Sequence, residues 1–212
     1  MSEEELRYQK FSENWDINDP KHAVLPRIGI GEKVLDVGCA YGSFGKALIA
    51  KGCKVDGIEF YQPALNEARK HLGHVYEIDL NRPEDLIQID GQYDVITFMD
   101  VLEHCVDPQF VLEILRKNLV EGGRVYVSVP NIANFVERAR ILMGKFDYQE
   151  YGVLDRTHLK FYTKKTSQLL IANVYKNSEI IAVTPRIPQV AKICHRLPTL
   201  LAMQFILEGS NH

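Results

Sequence analysis

Short apolar runs alternate with amphipathic segments along most of the chain, and this alternation predicts an α/β fold. Before residue 130, five runs have the length and β-branched content of buried strands, at 33–37, 54–58, 75–78, 93–98 and 124–129. Helical periodicity separates them at 43–51, 63–72 and 108–119. Strands that alternate with helices of about ten residues predict a doubly wound, mostly parallel sheet with helices on both faces.

The pattern on either side of these strands predicts how the domain begins and ends. The elements expected after the fifth strand are a helix over 131–144, an irregular segment to 163, a helix over 164–174, a strand at 179–184, a helix over 190–200 and a last strand at 203–207. Residues 1–30 predict a short helical arm. We expect residues 27–212 to form one domain, with residues 131–163 as an insertion on the substrate side.

Composition and charge narrow the range of functions. The 212 residues are 46% hydrophobic and 25% charged, as in an ordinary globular protein, and the formal net charge is -3. This balance does not favour a nucleic-acid partner, which usually requires a basic domain or patch. The four cysteines form no C-x-x-C pair, and no apolar run is long enough to cross a bilayer. We therefore expect a cytoplasmic protein with no membrane span. We expect a monomer or homodimer, and this pattern does not decide between the two.

A glycine-containing loop between the first strand and the first helix is the strongest candidate for a ligand site. Gly38 and Gly42 allow the backbone to approach a ligand closely, and Asp36 lies just before them at the end of the strand. Glu59 ends the next strand, about 20 residues on, where a carboxylate accepts hydrogen bonds from ribose hydroxyls. From these residues alone, a tight turn without a ligand and a nicotinamide oxidoreductase also stay open. Ala40 disfavours the second, because it stands where a dinucleotide fingerprint has its second glycine.

The segment 34–45, VLDVGCAYGSFG, resembles motif I of the class I S-adenosylmethionine-dependent methyltransferases. That motif is an acidic residue, any residue and then G-x-G-x-G, and Ala40 replaces its central glycine. The resemblance implies a seven-stranded sheet in the order 3-2-1-4-5-7-6 with the last strand antiparallel. It also implies S-adenosylmethionine as the methyl donor and S-adenosylhomocysteine as the product.

The same resemblance assigns each part of the cofactor to residues of this chain. Asp36 and the loop backbone would hold the methionine part, Glu59 the ribose, Phe60 or Tyr61 the adenine ring and Asp79 the adenine amino group. The full set is Asp36, Gly38, Cys39, Ala40, Gly42, Glu59, Phe60, Tyr61, Asp79, Leu80, Met99 and Asp100. Taken singly, Glu59 and Asp79 could instead be helix-capping or surface carboxylates, and Phe60 a core residue.

Two further segments bear on the chemistry. Residues 100–104, DVLEH, resemble a block of many small-molecule methyltransferases, and 155–163, DRTHLKFYT, resemble a segment of a subgroup often found with sugar and polysaccharide pathways. Their histidines, His104 and His158, are the candidate catalytic bases, with a structural role as the alternative for each.

A metal is an alternative at the first of these segments. Asp100, Glu103 and His104 are similar to a cluster that binds a divalent ion in a ubiquinone-biosynthesis O-methyltransferase, where the first acid is Glu. Because Asp is shorter than Glu, we assign no metal ligands.

The segment 131–151 is expected to form a wall of the substrate site. It combines aromatic rings with cations, namely Phe135, Phe146, Tyr148, Tyr151, Arg138, Arg140 and Lys145. The main hypothesis is methyl transfer from S-adenosylmethionine to a small molecule, at an oxygen of a glycan precursor or a related metabolite. The alternative is a regulatory module that binds S-adenosylmethionine without catalysis.

Overall fold

The structure, a computed structural model, describes residues 15, 19–185, 194 and 196–211. Within these residues, seven strands form one sheet in the order β3-β2-β1-β4-β5-β7-β6. They are β1 (Lys33–Val37), β2 (Lys54–Glu59), β3 (Val75–Glu77), β4 (Tyr93–Met99), β5 (Leu119–Pro130), β6 (Lys176–Pro185) and β7 (Ala202–Ser210). The first five strands are parallel, and β7 runs antiparallel to both of its neighbours. The predicted fold class and strand order are confirmed.

After a first short helix before β1, the helices lie between these strands, as the alternating pattern predicts. They are α1 (Lys21–Val24), α2 (Ser43–Ala50), α3 (Gln62–Ala68), α4 (Pro83–Leu86), α5 (Pro108–Arg116), α6 (Phe135–Leu142), α7 (Lys164–Ala172) and α8 (Pro198–Leu201), with short 3₁₀ helices at Leu25–Arg27 and Leu102–His104. The expected helices over 63–72 and 108–119 end early, at Ala68 and Arg116. After Arg116 the helix ends in a 3₁₀-type turn, in which the Asn118 amide donates a hydrogen bond to the Leu115 carbonyl. Helices often end in this way.

Other predicted segments differ from the structure or lie partly outside the described residues. The helix expected over 131–144 begins only at Phe135, because the Asn134 side chain caps α6 by accepting from the amides of Val136 and Glu137. Most of the predicted arm over 1–30 lies outside the described residues, as do residues 190–193 and 195 of the predicted helix over 190–200. Within the described part of that segment, α8 begins only at Pro198. The domain bounds and the insertion at 131–163 stay predictions.

The sheet is buried on both faces, as expected for strands covered by helices on each side. Along β1, Leu35 and Val37 pack in one hydrophobic cluster and Val34 in the other, so alternate side chains enter opposite layers. The carboxyl ends of β1, β2 and β4 lie at one edge of the sheet, where ligands of open α/β sheets bind. None of the described helices is long and apolar enough to cross a membrane.

Candidate functional site

The loop that follows β1 has a backbone shape that depends on small residues. Gly38, Ala40 and Gly42 all have positive φ, at 68°, 48° and 76°. The amides of Gly38 and Cys39 donate to the Ile58 carbonyl, at 2.9 and 3.0 Å, which ties the loop to β2. A Cβ atom on Gly38 would lie 2.6 Å from Cγ2 of Val101, so a side chain there meets the segment after β4. Positive φ and close approach together explain glycine at this position.

Cys39 can contribute to the site only through its backbone. Its side chain is buried in the hydrophobic core, and its Sγ atom would lie 2.6 Å from a Cβ atom on Gly57. Burial raises the pKa of the Cys39 thiol, so this cysteine is a packing residue rather than a nucleophile.

Glu59 holds the loop after β1 and the loop after β2 together. Its Oε2 accepts from the Ala40 amide at 3.0 Å, and its Oε1 accepts from the amides of Phe60 and Tyr61, both at 2.8 Å. Burial raises the pKa of Glu59, and these three amide donors partly offset that effect. The side chain is 5% exposed, so the surface-carboxylate alternative for Glu59 is wrong.

Asp36 is a buried carboxylate with one side-chain partner at the end of β1. Its Oδ1 accepts from Oγ1 of Thr97, on β4, at 2.8 Å. Burial raises the pKa of Asp36 to about 6, although Thr97 and the charge of Lys21 lower it. A cationic group of a ligand would relieve the cost of burying this charge. Sequence reasoning missed Thr97 and Lys21. A polar residue inside the buried β4 run was an available signal for Thr97.

Phe60 and Asp79 are the residues predicted to contact the adenine. Phe60 is 60% exposed, so the core alternative for its ring is wrong. The half-buried Asp79 follows β3, and its Oδ1 accepts from the Asn81 amide at 2.9 Å. Asn81 in turn accepts from the Val106 amide at 2.7 Å and thereby joins the loop after β3 to the loop after β4. Leu80 packs against the hydrophobic core beside Asp79.

Asp100 follows Met99, the last residue of β4, in an unusual left-handed conformation with φ of 57°. Its amide donates to Oγ of Ser128 at 2.8 Å, and its Oδ1 accepts from Ser128 Oγ at 2.6 Å and from Nε2 of Gln204 at 2.9 Å. These bonds from β5 and β7 hold a backbone conformation that costs energy for any residue but glycine. Burial raises the pKa of Asp100. Sequence reasoning missed Ser128 and Gln204, because their proximity depends on the strand order.

The two candidate bases, His104 and His158, lie side by side. Their ring centroids are 4.8 Å apart at an interplanar angle of 69°. Nδ1 of His158 lies 3.1 Å from the Val153 carbonyl oxygen, and Nδ1 of His104 lies 3.0 Å from Oγ1 of Thr157. Burial lowers the pKa of His104, and the neighbouring His158 lowers it further, so the neutral ring is favoured. The DVLEH and DRTHL segments, about fifty residues apart in sequence, therefore form one site.

Backbone bonds hold these two segments together. The amides of Leu159 and Lys160 both donate to the Glu103 carbonyl, at 2.8 and 3.0 Å. The Glu103 side chain is buried beneath the histidines, with its Oε1 at 4.0 Å from Nε2 of His158. Burial holds the pKa of Glu103 well above its usual range. Among the described residues, Oε2 of Glu103 has no hydrogen-bond partner.

The geometry changes which residues a metal alternative would involve. Glu103, His104 and His158 each present one possible ligand atom, and these atoms lie within 4.8 Å of one another. Asp100 is not in that group, because its carboxylate faces Ser128 and Gln204. The assignment of no metal ligands stays a prediction.

Aromatic side chains continue from the histidines along the insertion. Phe161 lies 6.5 Å from His158 and 5.9 Å from Phe146, and Phe146 lies 6.1 Å from Tyr148, measured between ring centroids. Phe146 and Tyr148 are 46% and 60% exposed. The sequence-based wall included Phe146 and Tyr148 but not Phe161, the ring that connects them to the histidines.

These residues fit a ligand that carries an ammonium group, a ribose and an aromatic base. Buried carboxylates at the ends of β1 and β2, an exposed aromatic ring after β2 and a loop with positive φ values lie at one edge of the sheet. S-adenosylmethionine has these parts, with Asp36 toward the ammonium group, Glu59 toward the ribose and Phe60 toward the adenine as the predicted contacts.

The fold and the loop define the class of this chain, which is a doubly wound α/β protein with a glycine loop after its first strand. A family model described as a methyltransferase domain matches residues 8–173, and the chain belongs to this family. The ubiquinone biosynthesis O-methyltransferase of Thiobacillus denitrificans is 38% identical over 142 residues, or 58% of this chain and 61% of that protein. That of Aromatoleum aromaticum is 31% identical over 151 residues, or 62% and 64%. The chain spans less than two thirds of the length of these relatives.

Solved structures of methyltransferases share the fold. An S-adenosylmethionine-dependent methyltransferase from Archaeoglobus fulgidus superposes with a TM-score of 0.69 at 15% identity, covering 99% of this chain and 100% of that one. Magnesium protoporphyrin IX methyltransferase from Synechocystis PCC 6803, with bound S-adenosylhomocysteine, has a TM-score of 0.61 at 14% identity, covering 99% and 84%. The predicted methyltransferase family and the predicted fold are confirmed. The individual site residues stay predictions.

Proposed function

We propose that this chain transfers the methyl group of S-adenosylmethionine to an oxygen of a small molecule, with His104 as the general base. The observation that carries the proposal is the position of His104. It lies just after β4, at the edge of the sheet where the glycine loop also lies, and beside a second histidine. A base at that edge is within the region where an acceptor has to meet the methyl group.

The acceptor we propose carries a hydroxylated ring. The curated relatives are named ubiquinone biosynthesis O-methyltransferases, which supports oxygen as the acceptor atom and gives no support to a glycan precursor. The exposed rings of Phe146 and Tyr148, joined to His158 by Phe161, suit a flat apolar acceptor. Arg138 and Arg140 lie on the neighbouring helix α6 and could attract an anionic substituent.

The only proton that the protein has to move in this reaction is the one that it accepts from the acceptor hydroxyl. The cofactor supplies a methyl group already activated on a sulfonium. His104 accepts the proton of the acceptor hydroxyl while the oxygen bonds to the methyl carbon and the carbon–sulfur bond breaks. S-adenosylhomocysteine leaves neutral, and His104 returns its proton to water. The low pKa of His104 keeps its ring neutral and ready to accept at pH 7.

The test compares His104→Gln with the matched control His71→Gln. His71 is exposed, and its Nε2 lies 3.0 Å from Oε1 of the neighbouring Glu67, so this variant reports the effect of losing a surface histidine. S-adenosylhomocysteine release is measured with hydroxylated aromatic acceptors and with hydroxylated sugars, and cofactor binding by calorimetry. We expect His104→Gln to lower kcat by about 10²–10⁴-fold with cofactor affinity unchanged, as for other general bases. Full activity in His104→Gln would refute the role of His104.

The same assay separates catalysis from regulation. A regulatory module would bind S-adenosylmethionine and release no S-adenosylhomocysteine above background with any acceptor of either class. Turnover of sugars but not of aromatic acceptors would reverse the proposed substrate class.

Cellular location and assembly are part of the proposal. We propose a cytoplasmic protein that acts as a monomer or homodimer on a small molecule and not on nucleic acid. The four cysteines are free and buried, which is compatible with a reducing compartment. Light scattering of the purified chain measures the oligomeric state.

A further inference from the structure

Two residues of the DRTHL segment bear on which ring nitrogen of His104 carries its proton: Thr157 contacts His104, and Asp155 binds Thr157. Oγ1 of Thr157 lies 2.6 Å from Oδ1 of Asp155 and 3.0 Å from Nδ1 of His104. The carbonyl oxygen of Thr157 lies 3.2 Å from the same Nδ1 atom. Neither Asp155 nor Thr157 was among the predicted site residues.

The protons in this chain can be assigned from the chemistry of each group. A threonine hydroxyl has one proton, and a carboxylate can only accept. The short contact with Asp155 therefore uses the Thr157 proton, and Thr157 Oγ1 faces His104 as an acceptor. The Thr157 carbonyl is also an acceptor. Among the described residues, Nδ1 of His104 faces these two acceptors and no donor, so it carries the proton.

We propose that Asp155, acting through the Thr157 hydroxyl, fixes His104 in the Nδ1–H tautomer and so leaves the lone pair of Nε2 free for the acceptor hydroxyl. The inference rests on the proposed function, in which His104 is the base. Asp155 and Thr157 are positioning residues, because they act through His104 and not on the substrate.

The protein holds this arrangement from both sides. Oδ1 of Asp155 also accepts from the Thr157 amide at 2.8 Å, which forms a tight turn that orients the carboxylate. The amides of Leu159 and Lys160 bind the Glu103 carbonyl, so the turn cannot move away from the adjacent His104. Fixed partners on Nδ1 set both the tautomer and the plane of the ring.

The charge of Asp155 also serves the proton transfer itself. When Nε2 accepts a proton, the ring becomes a cation whose Nδ1–H points at Thr157. The negative charge of Asp155 lies one hydroxyl beyond and stabilises that cation. Asp155 raises the pKa of His104, as an acid in this position should, against the larger opposing effect of burial.

The tautomer can be measured without knowing the acceptor. Protein labelled with ¹⁵N-histidine is studied by long-range ¹H–¹⁵N correlation of the imidazole rings, at a pH at which His104 is neutral and in the presence of a chelator. His104→Gln assigns the signals. We expect a single Nδ1–H tautomer for His104 in the unsubstituted chain. A wild-type ring that carries its proton on Nε2 overturns the proposal.

Three variants test the role of each partner. Asp155→Ala frees the Thr157 hydroxyl to donate to Nδ1, so we expect the Nε2–H tautomer to become populated. Thr157→Val removes one of the two acceptors and should give a mixture of tautomers, whereas Thr157→Ser should keep the single tautomer. Arg156→Ala, in the same turn but paired with Glu150, is the control and should change nothing. A single Nδ1–H tautomer in both Asp155→Ala and Thr157→Val overturns the proposal.

Kinetics separate this inference from the proposed function. We expect Asp155→Ala and Thr157→Val to lower kcat at least 10-fold with KM and thermal stability nearly unchanged, and Thr157→Ser to restore kcat. If the tautomer behaves as expected but the unsubstituted chain methylates no acceptor, the positioning role stands and the proposed function fails. A variant with altered tautomer and normal kcat overturns the catalytic meaning of the arrangement.

Discussion

At the scale of single residues, three carboxylates at or just after strand ends are buried wholly or in part, and burying their negative charge costs free energy. Burial raises the pKa of Asp36, Glu59 and Asp100, and each carboxylate accepts hydrogen bonds that reduce this effect only in part. Burying these charges costs free energy when the site is empty. A ligand that brings hydrogen-bond donors or a positive charge would reduce this cost. We therefore expect both ligand affinity and stability to depend on these groups.

The first residue-scale prediction concerns Asp36 and the pH. The pKa of Asp36 is raised to about 6, so the group loses its charge as the pH falls through 6. If it binds the ammonium group of S-adenosylmethionine, affinity should weaken from pH 7 to pH 5. Asp36→Asn should weaken binding by about 1–3 kcal/mol at pH 7 and remove that pH dependence. Calorimetry at several pH values measures both effects, and a steady affinity in the unsubstituted chain would contradict the contact.

The second residue-scale prediction concerns stability without the cofactor. A carboxyl whose pKa is higher in the folded state than in the unfolded state holds its proton more tightly when folded. Asp36 therefore destabilises the fold progressively as the pH rises from 3.8 to about 6, and this loss persists above pH 6. We expect Asp36→Asn to increase the free energy of unfolding at pH 7 by about 2 kcal/mol in urea denaturation. A less stable variant would show that the buried charge is better compensated than its partners indicate.

At the scale of elements, the glycine loop and the segment after β4 depend on each other for space. Gly38→Ala should destabilise the protein for two reasons. Positive φ costs about 1–2 kcal/mol for a residue with a side chain, and the new Cβ atom would lie 2.6 Å from Val101. Adding Val101→Ala removes the second cost but not the first.

A double-mutant cycle in chemical denaturation measures this coupling. The double variant Gly38→Ala/Val101→Ala should be more stable than the sum of the two single effects predicts, by at least about 0.5 kcal/mol. Additive effects would show that the loop relaxes without contacting Val101.

The sequence predicts best those features that depend on residues close together in the chain. Asp36 and Glu59 could be placed because each lies at the end of its own strand, and parallel strands bring those ends to one edge. Helix ends were placed less well, since capping by Asn134 overrides the apolar pattern at the start of α6. The contact between His104 and Thr157 could not be foreseen, because it joins segments that are 53 residues apart.

At the scale of the whole molecule, a polar connection crosses the sheet from β6 to the site. Oγ1 of Thr184 lies 3.3 Å from Oε1 of Gln204, and Gln204 Nε2 donates to Asp100 at the end of β4. The family match ends at residue 173, before β6 and β7 begin. The part of the chain beyond the match therefore helps to shape the predicted cofactor site.

The whole-molecule prediction follows from this connection. Gln204→Ala should weaken S-adenosylmethionine binding by about 1 kcal/mol, because Asp100 loses a donor that holds its strained conformation. Thr184→Val, at the outer end of the connection, is the matched control and should leave affinity unchanged. Calorimetry measures both, and equal affinities in the two variants would contradict the role of Gln204.

The insertion of β7 between β5 and β6 also has a consequence for protein synthesis. The ribosome makes β5 and β6 before β7, so a growing chain at first has one edge of β5 and the whole of β6 without the strand that pairs with them. Exposed strand edges of this kind can pair with other chains and are a recognised route to aggregation. The donor from Gln204 to Asp100 is absent until the same strand has been translated. Synthesis therefore leaves one edge of β5 unpaired until β7 has been made.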